Sequence, residues 1–239
     1  MVLRGGVLIV GSLFWDKSEE RNQWRKNQLV PLDQSIKIRL PIVYGRLSST
    51  RSNTYTIIYS KHYGQIDSFG KLVKFKNQIF CQQGLIKQAI KLSIAEGICT
   101  KENPRIYCDW GAIGLLLNPK IVNQKTNLYK KLSDIWTKTF LRRNFSLQEN
   151  FKIFENDEPI IFENGLLNLN WEEEYEELDF LLTALTVPLP KNHDLTAFEI
   201  ANKMSQNKYT DYFVNNKKSG ILTFQDNEIE QHLKNFSCC

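Results

Sequence analysis

The sequence predicts an α+β fold with a mixed, barrel-like β-sheet, surrounding helices and a C-terminal extension. Runs typical of strands outnumber runs typical of helices along the 239 residues. Many neighbouring strand-like runs are joined by short turn sequences, as in hairpins. No internal repeat or long low-complexity linker divides the chain, so we expect a single domain over residues 1–239.

The composition is that of a soluble globular protein, with 42% hydrophobic and 24% charged residues. No stretch approaches the ~18 consecutive apolar residues of a membrane span. The N-terminal apolar run is too short for a secretory signal and lacks a small-residue cleavage site. We therefore expect a cytoplasmic protein without a membrane partner.

The net charge of +5 is spread along the chain, and its basic patches, such as Lys130-Lys131 and Arg142-Arg143, are short. The acidic run over residues 172–177 argues further against a nucleic-acid partner. The five cysteines contain no C-x-x-C pair and no metal-type spacing with histidine, so neither structural disulfides nor a metal is expected. The terminal Cys238-Cys239 pair admits a lipid anchor, but a frayed tail is the simpler interpretation.

The first half of the chain predicts strands with two helices among them. Residues 7–10 are four aliphatic residues that read as a buried strand ending at Gly11 and Ser12, where successive N–H groups can form an anion-receptive nest. Residues 18–28 favour a short helix, and residues 36–60 favour a hairpin of β-rich runs.

Three further elements complete this half. A strand is predicted over residues 70–76 and a strongly apolar one over 110–117. Between them, residues 85–96 have helical spacing of apolar side chains, and Gly97 stands where a C-cap glycine belongs.

The second half is less regular. The pattern predicts a helix over 127–143, a hairpin or excursion over 144–171 and a strand over 178–187. A helix over 195–205 follows, and the remaining polar stretch contains one possible edge strand at 220–224.

One carboxylate has an unusual position. Glu96 ends an apolar helix, where the negative end of the helix dipole disfavours its charge by roughly 0.3–1 kcal/mol. Burial there adds to this effect and raises the pKa of the carboxyl group, which suits proton transfer near neutral pH. The alternative is a solvent-facing glutamate beside a C-cap glycine.

Three stretches, taken in order, resemble the gamma-glutamylcyclotransferase-like family. Its first strand ends in a Tyr-Gly-Ser-Asn loop, its middle strand reads Gly-Val-Val-Trp, and a helix delivers the catalytic glutamate in Leu-Asp-x-x-Glu-Gly. Here the loop reads Val10-Gly11-Ser12-Leu13, residues 70–75 read Gly-Lys-Leu-Val-Lys-Phe, and residues 92–97 read Leu-Ser-Ile-Ala-Glu-Gly. The resemblance covers residues 7–117 and the strand around 180–187.

The resemblance implies an enzyme that releases 5-oxoproline from a small-molecule substrate with a γ-glutamyl group, without metal or cofactor. The substrate's own α-amine attacks its γ-carbonyl, and Glu96 takes the proton and returns it to the leaving amine. Backbone N–H groups of Gly11, Ser12 and Leu13 hold the γ-glutamyl portion. Trp15 and Arg46 are further candidates for substrate contact. The alternative for Trp15 is a structural role in the core, and the alternative for Arg46 is an exposed position on the surface.

In this interpretation residues 1–118 form the cyclotransferase-like core. Residues 119–239 supply a helix, the hairpin excursion, a closing strand and C-terminal decoration. Two other functions fit the same sequence. One is a non-catalytic small-molecule-binding or protein-interaction module on this fold. The other is a hydrolase with Ser12 as nucleophile, for which His62 is the early candidate base.

Overall fold

A computed structural model of the chain describes residues 2–64, 66–124, 126–140 and 144–237. Arg142-Arg143, at the end of the helix predicted over 127–143, lies outside the described residues. The terminal pair Cys238-Cys239 lies outside them as well.

Six strands form one mixed sheet and two form a separate hairpin. The strands are β1 (Gly5–Ile9), β2 (Ile36–Arg39), β3 (Ile42–Ser48), β4 (Thr54–Tyr59), β5 (Phe69–Lys74), β6 (Tyr107–Cys108), β7 (Gly111–Leu117) and β8 (Phe180–Thr186). The order of the large sheet is β2-β5-β1-β8-β7-β6. The predicted α+β class and mixed sheet are therefore confirmed.

The central position of β1 explains its uninterrupted apolar sequence. Val7 pairs with Val73 of β5 in antiparallel register and with Leu182 of β8 in parallel register. All five residues of β1 are buried, as expected for a strand covered on both faces. The sheet ends at β2 and β6, so the described residues form an open sheet, and the predicted closure into a barrel is not seen.

The hairpin predicted over residues 36–60 consists of β3 and β4 alone. The preceding strand β2 instead pairs with β5, so it belongs to the large sheet. A register shift between Tyr44 and Arg46 marks a bulge in β3. The hydroxyl groups of Tyr59 in β4 and Thr183 in β8 lie 2.9 Å apart, which joins the hairpin to the middle of the large sheet.

Eight α-helices surround these strands in the described residues. They are α1 (Glu19–Gln28), α2 (Gln82–Glu96), α3 (Pro119–Gln124), α4 (Thr126–Phe140), α5 (Leu147–Asn150), α6 (Ala197–Gln206), α7 (Asp211–Lys218) and α8 (Asp226–Ser237). None of the helices in the described ranges is long and apolar enough to cross a bilayer.

The end of α2 confirms the predicted C-cap. Gly97 has a φ of 76°, a left-handed conformation that glycine adopts without a steric penalty. The N–H of Ile98 donates to the carbonyl of Ser93 at 2.9 Å, and that of Gly97 donates to Ile94 at 3.0 Å. This arrangement stops the helix directly after Glu96.

The C-terminal third differs most from the prediction. The edge strand expected over 220–224 is reduced to one bridge between Leu222 and Phe69. The polar sequence around it forms α7 and α8, whose inward residues, such as Tyr212 and Ile229, are buried. The excursion over 144–171 contains a small antiparallel bridge between Ile161 and Leu167. The predicted closing strand is β8, and it lies between β1 and β7.

Candidate functional site

A narrow cleft of about 160 Å³ opens where β1 ends, beside the β3–β4 hairpin. Gly11 and Ser12 line one part of it, Arg46 lines the hairpin side, and Glu96 reaches it from the end of α2. The structure thus brings together four of the six residues selected from the sequence. Burial, hydrogen bonds and charge decide what they can do.

The turn after β1 is a short helical turn. The N–H of Phe14 donates to the carbonyl of Gly11 at 3.0 Å, and the N–H of Asp16 donates to that of Ser12 at 2.8 Å. The first N–H groups of such a turn lack partners within it. Among the described residues no acceptor takes a hydrogen bond from the N–H of Ser12 or Leu13. These two donors are available to an anionic or carbonyl oxygen.

Leu13 and Trp15 support the turn from outside the narrow cleft. The Leu13 side chain is buried, and its carbonyl accepts a hydrogen bond from Arg25 at 2.6 Å. The indole N–H of Trp15 donates to Oδ1 of Asn216 in α7 at 2.6 Å. The carbonyl of Leu13 and the side chain of Trp15 therefore anchor the turn to α1 and α7, whereas Gly11 and Ser12 line the cleft.

Glu96 is an acid held by an arginine. Nη2 of Arg21 donates to Oε2 of Glu96 at 2.9 Å, and the glutamate side chain is 19% exposed. Burial raises the pKa of the Glu96 carboxyl group above its usual range, and the positive charges of Arg21 and Arg51 partly oppose that rise. Glu96 is therefore not the solvent-facing glutamate of the alternative interpretation.

A second carboxylate beside the first has the opposite shift. Oδ2 of Asp16 accepts hydrogen bonds from Arg51 at 2.7 Å and from Arg21 at 3.0 Å. Burial alone would raise the pKa of Asp16, but the hydrogen bonds from Arg51 and from the N–H of Ser18 outweigh it, and the pKa falls to about 2. Asp16 therefore stays ionised, and Glu96 is the group suited to exchange a proton.

Arg46 places a guanidinium at the opposite wall. Its Nη1 donates to the carbonyl of Val187 at 2.6 Å, and its guanidinium carbon lies 5.7 Å from the centre of the Trp110 ring. These contacts fix the side chain from one side. The remaining N–H groups of a planar fork can then bind a carboxylate.

One residue that lines the cleft, Tyr212, has no recognisable signal in the sequence. Tyr212 of α7 is buried, lines the cleft and accepts a hydrogen bond from the N–H of Ile57 at 3.2 Å. A Cβ atom on Gly11 would lie only 2.6 Å from the Tyr212 hydroxyl oxygen. Arg21 and Asp16 lie in a polar stretch without a recognisable motif, so the sequence did not indicate them either.

A wider cavity of about 730 Å³ adjoins the cleft. Arg21, Arg51, Glu96 and Trp110 line both spaces. The Glu96 carboxylate thus stands at the boundary between a narrow polar cleft and a more open space. A ligand that reaches Glu96 from the cleft can extend into the second cavity.

The residues needed for the hydrolase alternative are not assembled. No histidine is among the described residues that line the cleft. Nδ1 of His62 lies 2.7 Å from Oδ1 of Asp157, and Ser12 Oγ accepts a hydrogen bond from Arg21 at 2.7 Å. Among the parts of the chain that are described, no group of three His, Cys, Asp or Glu side chains is placed to hold a metal ion.

Comparison with known proteins identifies no relative. Neither a protein-family model, nor a curated protein, nor a solved structure matches the chain. The geometry of the cleft is therefore the basis for assigning a function.

Proposed function

We propose that this protein is a gamma-glutamylcyclotransferase-like enzyme that releases 5-oxoproline from a γ-glutamyl amine or peptide. One observation carries the proposal: the Glu96 carboxylate and the turn at Gly11 and Ser12 line the same narrow cleft. The two sequence features that suggested the family are far apart in the chain, and a shared cavity is what its chemistry requires. The β3–β4 hairpin held against β8 is also compatible with the barrel-like sheet of that family.

The charges of the cleft suit the two ends of a γ-glutamyl group. Its α-carboxylate is matched by the guanidinium of Arg46, which has N–H groups to spare. Its α-ammonium is matched by Glu96, a carboxylate whose pKa is raised by burial. Its γ-carbonyl oxygen is matched by the N–H group of Ser12, which lines the cleft and can stabilise the negative charge that develops there.

The reaction then follows from these positions. Glu96 takes a proton from the α-ammonium, and the freed nitrogen forms a bond to the γ-carbonyl carbon. The bond from that carbon to the leaving nitrogen breaks, and this nitrogen takes the proton back from Glu96. The attacking nitrogen releases a second proton to water, so the products are 5-oxoproline and the free amine. The gain is largely positional, because both reacting groups belong to one molecule.

A second candidate is a non-catalytic module that binds a small acidic molecule in the same cleft. The Arg21–Glu96 ion pair favours it, because an acid engaged by a guanidinium can serve structure alone. The enzyme is favoured by an acid with a raised pKa, Glu96, lining the cleft, because binding alone requires no group that exchanges a proton. The two candidates share a ligand and differ only in turnover.

The test is product identification with the purified full chain. We expect γ-glutamyl amines and dipeptides to yield 5-oxoproline, detected by mass spectrometry, and the same compounds with an acetylated α-amine to yield none. Free glutamate as the product would indicate hydrolysis and contradict the cyclisation. Binding of a γ-glutamyl compound by calorimetry without any turnover would identify the binding module instead.

A further inference from the structure

Arg21 connects the two halves of the cleft. From α1 it donates to four oxygen atoms: Oγ of Ser12 at 2.7 Å, Oδ2 of Asp16 at 3.0 Å, Oε2 of Glu96 at 2.9 Å and the carbonyl of Ala95 at 3.2 Å. Two of these acceptors lie in the turn after β1, and two lie at the end of α2. One guanidinium therefore sets the position of the turn relative to the acid.

We propose that Arg21 is the positioning residue of this site, which holds Oε2 of Glu96 so that Oε1 is the oxygen that exchanges the proton with the substrate. The inference rests on the proposed function, because it assigns a role in that proton transfer. Beyond that function, the two oxygens of Glu96 have different roles, and α1 contributes a residue that positions the acid.

The hydrogen bonds support the separation of the two oxygens. Oε2 is taken by Arg21, whereas Oε1 has no hydrogen-bond partner among the described residues. A guanidinium is a rigid planar fork, so its other contacts to Ser12 and Ala95 limit the rotation of the carboxylate it binds. Held in this way, the Glu96 carboxylate keeps Oε1 available in a fixed orientation.

The charge of Arg21 also matters for a buried acid. Burial raises the pKa of Glu96, and the charge of Arg21 opposes the rise, so that the carboxylate remains able to accept a proton. The charged and titratable groups that face Glu96 come from α1, the turn after β1, the tip of the hairpin and α7. They are Arg21, Arg25, Asp16, Arg51 and Tyr212. Among these five residues, Arg21 alone forms a hydrogen bond to the Glu96 carboxylate.

Two substitutions separate charge from geometry. Arg21→Gln removes the charge but keeps an amide donor, and Arg21→Lys keeps the charge but loses the fork. Arg39→Gln is the matched control, because Arg39 is exposed on β2 and pairs only with Asp67 among the described residues. Titration of the Glu96 carboxyl by carbon NMR, assigned by its loss in Glu96→Gln, is the first readout. The second is kcat and KM for 5-oxoproline release.

We expect the Glu96 midpoint to rise by about 1 pH unit or more in Arg21→Gln and to stay unchanged in Arg39→Gln. In Arg21→Lys we expect kcat to fall between about 10-fold and 100-fold while KM changes little, because the acid is charged but misplaced. An unchanged midpoint in folded Arg21→Gln, or an unchanged kcat in Arg21→Lys, would overturn the inference. Absence of turnover in the wild type would instead refute the proposed function, and the titration of Arg21→Gln would still decide whether Arg21 controls Glu96.

Discussion

The hydroxyl group of Tyr212 occupies the space that a side chain on Gly11 would need. A Cβ atom on Gly11 would lie 2.6 Å from that oxygen, well inside van der Waals contact. Tyr212 belongs to α7, and Gly11 ends the first strand. The C-terminal helices are therefore part of the candidate site, and the C-terminal third is more than decoration.

Gly11→Ala is expected to destabilise the fold by about 1–3 kcal/mol, because the added methyl group overpacks a buried contact. Tyr212→Phe removes the hydroxyl and with it the clash. The double variant Gly11→Ala/Tyr212→Phe should lose less stability than the sum of the two single variants, by at least about 0.5 kcal/mol. Urea unfolding of the four proteins measures this coupling. Strict additivity would show that the two residues do not meet.

Arg46→Met should weaken substrate binding and leave chemistry largely intact. The variant loses a charged hydrogen bond to the substrate carboxylate, typically about 1.5–3 kcal/mol, so KM should rise about tenfold or more. kcat should change much less, since Arg46 is assigned to the α-carboxylate, which does not react. Initial rates over a range of substrate concentration provide the measurement. A loss confined to kcat would contradict the assignment.

Stability at low pH should report the ionisation of Asp16. Its pKa in the fold is about 2, below the ordinary value of 3.8. A lowered pKa stabilises the fold fully above the ordinary value, and that stabilisation, about 2 kcal/mol, is lost as the pH falls towards 2. The advantage of the wild type over Asp16→Asn should be constant between pH 5 and 7 and about 1 kcal/mol smaller at pH 3.

Urea unfolding at these three pH values provides the measurement. The control is Asp33→Asn, which removes a carboxylate from the first turn of a short 3-10 helix whose residues do not line the cleft. A constant gap down to pH 3 for Asp16→Asn would mean that the two arginines do not hold Asp16.

Much of the fold was predictable because local sequence patterns specify its strands and several of its helices. The apolar run of β1, the hairpin strands over 42–59 and the helical spacing that ends at Gly97 all express nearest-neighbour preferences. Helix α7 was not predicted because its apolar residues, Tyr212, Phe213 and Val214, are consecutive and show no helical period. The residues Ile229, Leu233 and Phe236 of α8 do have helical spacing, but the polar residues around them obscured it. Helix α8 packs against α6, and Tyr212 of α7 contacts Ile57 and Gly11, and a local pattern does not contain such distant partners.

The candidate site was only half predictable for the same reason. Glu96 and the Gly11-Ser12 turn carry a recognisable local sequence. Arg21 and Glu96 are 75 residues apart, and Ile57 and Tyr212 are 155 residues apart. Pairings of this kind depend on how distant elements pack, α1 against α2 and α7 against β4, and no short motif encodes that packing.

The most direct test of the account is the rate of 5-oxoproline release by Glu96→Gln. The amide keeps the size of the side chain and an oxygen that accepts from Arg21, but it cannot take a proton. We predict a loss of about 10²–10⁴-fold in kcat with the fold retained, whereas Glu174→Gln, in the exposed acidic run, should match the wild type. Turnover by Glu96→Gln at the wild-type rate would show that this carboxylate does not move the proton.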